Sequence, residues 1–217
     1  AFSVHDPRSA TNPVAYSHYR YTMVGKTYNI LSRVGDSGAD HTNRSNKLAH
    51  HVVLSQRERP VGGPAWLALQ EGFLEDVWDR APQVLEAPRT VPEGDYEGTL
   101  ASTWRDVAGE AGWGGELAYA FLSQRSAPAY VVFEPGMPML QLLGEALALL
   151  EPKVRWMVTF NTYFTALPAG LTCAWRCCVP DAYCLREARH ARRARIIDLT
   201  RPETLESENP LVDCARK

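Results

Sequence analysis

Ala129-Tyr130-Val131-Val132-Phe133-Glu134-Pro135-Gly136-Met137-Pro138-Met139-Leu140-Gln141-Leu142-Leu143 is the stretch that decides the fold. Its first half is a short run with a β-branched centre and no polar alternation, which reads as a strand buried on both faces. Pro135-Gly136 turns the chain, and Pro138 suits a first helical turn, where the N–H it lacks would have no partner anyway. In the helix that follows, Met139, Leu143, Leu147 and Leu150 form one apolar stripe, widened by Leu140 and Ala146. Gln141, Glu145 and Ala148 make its outer face, and Pro152 ends it. Beyond it Val154, Trp156, Val158, Phe160, Thr162 and Phe164 alternate with Arg155, Met157, Thr159, Asn161, Tyr163 and Thr165, which predicts a long second strand. Strand, helix and strand in succession make a βαβ unit, and such units are right-handed.

Downstream, Leu167-Pro168-Ala169-Gly170 turns the chain into Leu171 to Val179, most simply a strand antiparallel to the one before. Cys173, Cys177, Cys178 and Cys184 match no zinc spacing, because Cys177 and Cys178 are adjacent and no distant pair complements them. They read as small buried hydrophobes. Asp181 to Arg195 reads as an Arg-rich helix with Arg186, Arg189 and Arg193 on one side, a candidate partner surface beside the plainer reading of a solvated face. Arg195 to Thr200 is a last strand, and residues 202–217 read as a C-terminal tail.

Upstream, His5, Asp6-Pro7 and Asn12-Pro13 give an irregular arm, since each proline restricts itself and its predecessor. Tyr16 to Arg33 is a hairpin: Tyr19, Tyr21 and Met23 alternate with Arg20, Thr22 and Val24, and Gly25-Lys26 is its expected turn. Gly35 to Gly38 punctuates the exit into a polar run, Asp40-His41-Thr42-Asn43-Arg44-Ser45-Asn46-Lys47, which then becomes the strand Ala49 to Ser55. The two-residue period puts His50 with Val52 and Leu54, and His51 with Val53, so the two imidazoles diverge and do not grip one metal. Pro64 to Trp78 has helical spacing interrupted at Gly72, and Asp79 to Gly98 has the Pro and Gly content of an exposed connection. If the chain divides anywhere, it divides there. Two helices follow, Thr99 to Val107 and one ending near Gln124, separated by Gly109-Glu110-Ala111-Gly112-Trp113-Gly114-Gly115. That cluster follows a helix and lacks the Lys-Ser/Thr of a phosphate loop, so it reads as close helix packing.

The whole is a mixed α/β fold: an N-terminal hairpin, a helical middle and a C-terminal βαβ unit on a mixed sheet, expected as one domain over residues 1–201. The chain has 217 residues with a net charge of -2, so no global basic field draws in nucleic acid, which is not an expected partner. No apolar run approaches the roughly 20 residues of a membrane span. Five cysteines, an odd number without a regular framework, favour a reducing compartment, and a cytoplasmic location is expected.

Chemistry concentrates in the polar run. Asp40, Arg44, Ser45, Asn46, Lys47 and His50 are the candidate binding residues, because Arg44 and Lys47 flank a hydroxyl and several backbone amides where an oxyanion fits. No nucleophile elbow, HExxH or cysteine-protease signature occurs, so no catalytic residue, metal or cofactor is assigned.

Five phrases taken together resemble a known family: Asn12 to His18, Ile30 to Val34, Asp40 to His50, Gly63 to Leu67, and Trp156 to Phe164. They are similar to the N-terminal domain of bacterial GTPase-associated proteins, found in multi-component NTP-dependent systems of regulatory or conflict character. The most specific piece is Arg44-Ser45-Asn46 through Ala49-His50. The resemblance implies a non-catalytic regulatory, protein-interaction domain that couples a partner GTPase to an effector. An enzyme or a nucleotide or anion sensor with its pocket around Asp40 to His50 is the alternative.

Overall fold

The computed structural model describes residues 13–217 apart from 40, 41, 43, 44, 80, 85, 88, 97–100, 168, 191–193 and 202, and leaves the side chains of 39 and 45 aside. Seven strands form one mixed sheet in the order β3-β2-β1-β5-β6-β4-β7. Its first half is an antiparallel meander, β1 (Ala15–Met23), β2 (Lys26–Ala39) and β3 (Ser45–Leu54). The hairpin is where the alternation puts it, but its turn is Val24-Gly25 and not Gly25-Lys26. Met23 pairs Lys26, and both turn residues take positive φ, 49° and 71°, the geometry a two-residue loop needs to match the strand twist. The glycines at 35 and 38 do not end β2, which runs to Ala39 with a register shift between Asp36 and Ala39.

The second half is parallel. β4 (Ala129–Val132) leads through α4 (Met139–Ala148) and α5 (Pro152–Arg155) to β5 (Phe160–Asn161), with β6 (Trp175–Cys178) lying between β4 and β5. The βαβ unit therefore stands, but two details differ. Pro152 opens a helical turn, so the alternation from Val154 yields only two strand residues. β6 is parallel to β5, not antiparallel. From β6 the chain crosses by α6 (Tyr183–His190), shorter than the helix expected, to β7 (Arg195–Asp198).

Three helices cover the core between the halves: α1 (Gly63–Ala68), α2 (Ser102–Ala108) and α3 (Gly112–Ser123). The helical spacing through Trp78 fails after Ala68, because Gly72 takes φ +69° and turns the chain. Phe73 and Leu74 are buried, whereas Val77 and Trp78 are exposed. In the segment read as a tail, α7 (Pro210–Arg216) packs on α3 with Val212 and Ala215 buried, and the Asn209 side chain caps it by accepting from the Leu211 and Val212 amides.

The glycine cluster does what its composition suggests. A Cβ on Gly115 would lie 2.3 Å from the Leu211 carbonyl oxygen, and one on Gly114 would lie 2.8 Å from the Trp104 ring. Gly115→Ala is therefore expected to lower the free energy of unfolding by about 2–3 kcal/mol, since backbone, not a side-chain tip, has to yield. Urea unfolding measures it, and α7 amides should lose hydrogen-exchange protection first.

Glu145 corrects the expected outer face of α4. It is 1% exposed and caps the start of α2 from another helix. Its carboxylate accepts from the Thr103 and Trp104 amides at 2.9 and 3.2 Å and from the Ser102 and Thr103 hydroxyls at 3.1 and 2.6 Å. Orphan N–H groups at a helix start favour such an anion.

The two halves of the sheet join at β1 and β5. The Thr162 amide donates to the Tyr16 carbonyl at 2.9 Å and the Tyr16 amide donates to the Thr162 hydroxyl at 2.8 Å. Beside this seam His18 is fully buried, with Nδ1 2.7 Å from the Val158 carbonyl oxygen and Nε2 3.0 Å from Asn29 Oδ1. Burial pushes its pKa from 6.5 down to about 4. Between those values the unfolded chain takes up a proton that the folded chain refuses. Stability should thus fall by about 3 kcal/mol as pH drops from 6.5 to 4. Denaturant titrations across that window check it, and His18→Gln should remove that part of the slope.

Candidate functional site

β3 is an edge strand, and its residues settle only part of the expected site. Asp40 and Arg44 lie outside the described residues, as does the Ser45 side chain. Ser45, Asn46 and Lys47 belong to β3 itself and not to a loop feeding it, with Lys47 paired opposite Asp36 and Asn46 exposed. The histidines do point to opposite faces. His50 Nδ1 accepts from the Glu75 amide at 2.7 Å on the covered face, while His51 Nδ1 lies 2.6 Å from Ser32 Oγ on the other. Burial, with the Arg89 charge second, holds His50 below its ordinary pKa. A neutral imidazole with Nδ1 already accepting pins the 72–76 turn, and that nitrogen is not available as a base.

That pin leads to a wide groove. Glu75 pairs with Arg89 at 3.8 Å, and Arg89 lines a groove of about 780 Å³ between residues 57–61 and 89–95. Two walls of irregular chain need internal partners to hold a groove open, and the second half of the molecule supplies them. Arg155, buried at the end of α5, donates from Nε to the Leu150 carbonyl at 2.9 Å, from Nη1 to the Val61 carbonyl at 2.9 Å and from Nη2 to the Ala148 carbonyl at 3.0 Å. Nη1 also pairs with Asp95 on the opposite wall. Burial would raise the Asp95 carboxyl, but the Tyr96 amide and Arg155 outweigh it and hold it below its ordinary range.

Further pins act at the same place. Trp156 Nε1 donates to the Pro60 carbonyl at 2.8 Å, and the Gly62 amide donates to the Gly94 carbonyl at 2.8 Å. Gly94 lies so close on Trp66 that a Cβ would stand 2.7 Å from its ring. The rim is charged. Arg57, Glu58, Arg59 and Glu93 are exposed, and among the described residues neither Arg57 nor Arg59 forms an ion pair. Sequence reading passed over this groove: its side chains come from two loops without periodicity, and Arg155 sat within an alternation that read as a strand.

The expected partner surface on α6 is partly described. Arg186 and Arg189 are exposed, and Arg193 lies outside the described residues. All five cysteines are free of disulfides, Cys173, Cys177, Cys178 and Cys184 buried and Cys214 exposed. Burial pushes the Cys173 thiol up to about 12 and Cys177 well above its ordinary value. A thiol hydrogen bond to Cys184, with burial second, raises Cys178, and the same bond lowers Cys184. Among the described residues no group of three or more His, Cys, Asp or Glu side chains is placed to hold a metal, and no helix is long and apolar enough to cross a membrane.

The 89–95 wall of the groove is also where the first of two family matches ends. Residues 2–91 match the N-terminal domain, type 2, of GTPase-associated protein 1, and residues 101–201 match the middle domain of the same protein. The chain belongs to the GTPase-associated protein 1 family. The phrase Trp156 to Phe164 falls in the middle-domain match of GTPase-associated protein 1, while the other four fall in the N-terminal one. No curated protein and no solved structure matches the chain. In this member of the GTPase-associated protein 1 family, the sheet passes without a break from one match to the other through β1 and β5.

Proposed function

We propose that this chain is a non-catalytic interaction module that couples a partner GTPase to an effector, and that the GTPase docks over the groove between residues 57–61 and 89–95. The observation that supports this most is the rim: Arg57 and Arg59 are exposed, without ion pairs among the described residues, at the mouth of a groove braced by Arg155. Exposed cations of this kind steer an acidic partner surface and set its orientation. The names of both family matches point to a GTPase as the partner class. The groove's walls are tied to α4, α5 and β3, so a partner that closes on it could alter contacts in both halves of the sheet.

Affinity capture from native lysate with the full chain as bait tests the reading. A GTPase is expected among the recovered proteins, and Arg57→Glu with Arg59→Glu should reduce its recovery at least ten-fold. Recovery of no GTPase, or recovery unchanged by the double reversal, contradicts it.

A further inference from the structure

Arg33 stands on the covered face of β2, two residues from fully buried Leu31 and opposite Tyr16 on β1 and His50 on β3. Its Nη1 is sealed from solvent and has no hydrogen-bond partner among the described residues. Among the described residues the guanidinium forms no ion pair. Guanidinium groups carry five donors and no acceptor, and buried ones are nearly always met by oxygen. The space beside it depends on Gly35, where a Cβ would stand 3.3 Å from Nη1.

Arg33 also lines an open pocket of about 250 Å³, distinct from the groove, bordered by Tyr16, the 68–76 turn and the first turn of α4 at Leu140-Gln141. That volume lies below the roughly 300–1,000 Å³ of pockets that take drug-sized ligands, so its occupant is small. The same lining includes Glu71 and Asp76, both exposed. One half-buried cation with two carboxylates nearer water repels a simple anion overall. It suits a molecule whose oxyanion meets the guanidinium while its own positive charge meets the carboxylates.

We propose that this pocket binds a small zwitterion of the free amino acid type, with its carboxylate on Arg33 and its ammonium toward Glu71 and Asp76. The proposal is independent of the groove and of GTPase docking.

Isothermal titration of the full chain with glycine, L-alanine and L-glutamate, against acetate and inorganic phosphate, tests it. At least one amino acid should bind saturably and more tightly than acetate or phosphate, and Arg33→Gln should weaken it at least ten-fold. Gly35→Ala, which crowds the guanidinium while keeping the charge, should weaken binding several-fold and stands in should Arg33→Gln not fold. Glu71→Gln with Asp76→Asn should erase the preference for the amine-bearing ligand over acetate. Three results would overturn the proposal: no amino acid binds, acetate or phosphate binds as well as any amino acid, or binding is unchanged in both Arg33→Gln and Gly35→Ala.

Discussion

Arg155→Met is expected to lower the free energy of unfolding by about 3–5 kcal/mol and to slacken the groove at the same time. The side chain is 8% exposed and pairs with Asp95. Removing a buried, hydrogen-bonded cation falls in that range because its carbonyl acceptors lose their donors, whereas half-exposed Asp95 regains water. Here those groups are the Leu150, Val61 and Ala148 carbonyls. Methionine keeps much of the volume, so packing loss is small and the measured change reports the lost donors. Urea unfolding gives the stability. Hydrogen exchange gives the location: amides of residues 57–62 and 89–96 should lose protection more than those of β1 or β2. A change under 1 kcal/mol would mean that Arg155 does not brace the groove.

Trp104→Ala should cost about 4 kcal/mol, since removing a large buried aromatic loses both its transfer energy and the packing around the cavity left behind. Trp104 is 0% exposed, its Nε1 donates to the Leu142 carbonyl at 2.7 Å, and its ring fills the space that Gly114 leaves open. It thereby joins α2, α3 and α4 at one point. Gly114→Ala addresses the same contact from the other side, with a Cβ 2.8 Å from the ring. The two substitutions share that contact and should therefore combine non-additively. A Trp104→Ala effect below 1.5 kcal/mol would show that α2 is not locked to the core through this ring.

These two side chains also mark how far the sequence could be read. Alternation and apolar runs located β1, β2, β4 and α4; β4 and α4 are buried along nearly their whole length, whereas β1 is buried only over Ser17, His18 and Tyr19. The long alternation from Val154 misled, since its polar members have reasons other than exposure. Arg155 is buried as a donor to three carbonyls, Thr159 is buried accepting from the Ala174 and Trp175 amides, and Asn161 is buried at the seam with β1. Glu145 misled in the same way, because a carboxylate at a helical outer position looks solvated until another helix start is found above it. The orientation of β6 lay beyond reach: antiparallel pairing is the default after a short turn, whereas the long connection between Asn161 and Trp175 brings the chain back to start β6 parallel to β5.

The candidate site divides along the same line. The opposed directions of His50 and His51 follow from strand alternation alone and are observed. The tie from His50 through Glu75 and Arg89 to the groove joins residues far apart in sequence, and no local pattern records it.

The most direct test of the docking surface is site-specific photo-cross-linking in native lysate. One probe replaces Val61 on the groove wall, 50% exposed, and a second replaces Tyr183 on α6, 71% exposed, beside the arginine face. The Val61 probe is expected to form an adduct with a GTPase and the Tyr183 probe is not. A GTPase adduct from the Tyr183 probe alone would move docking to α6 and contradict the assignment to the groove.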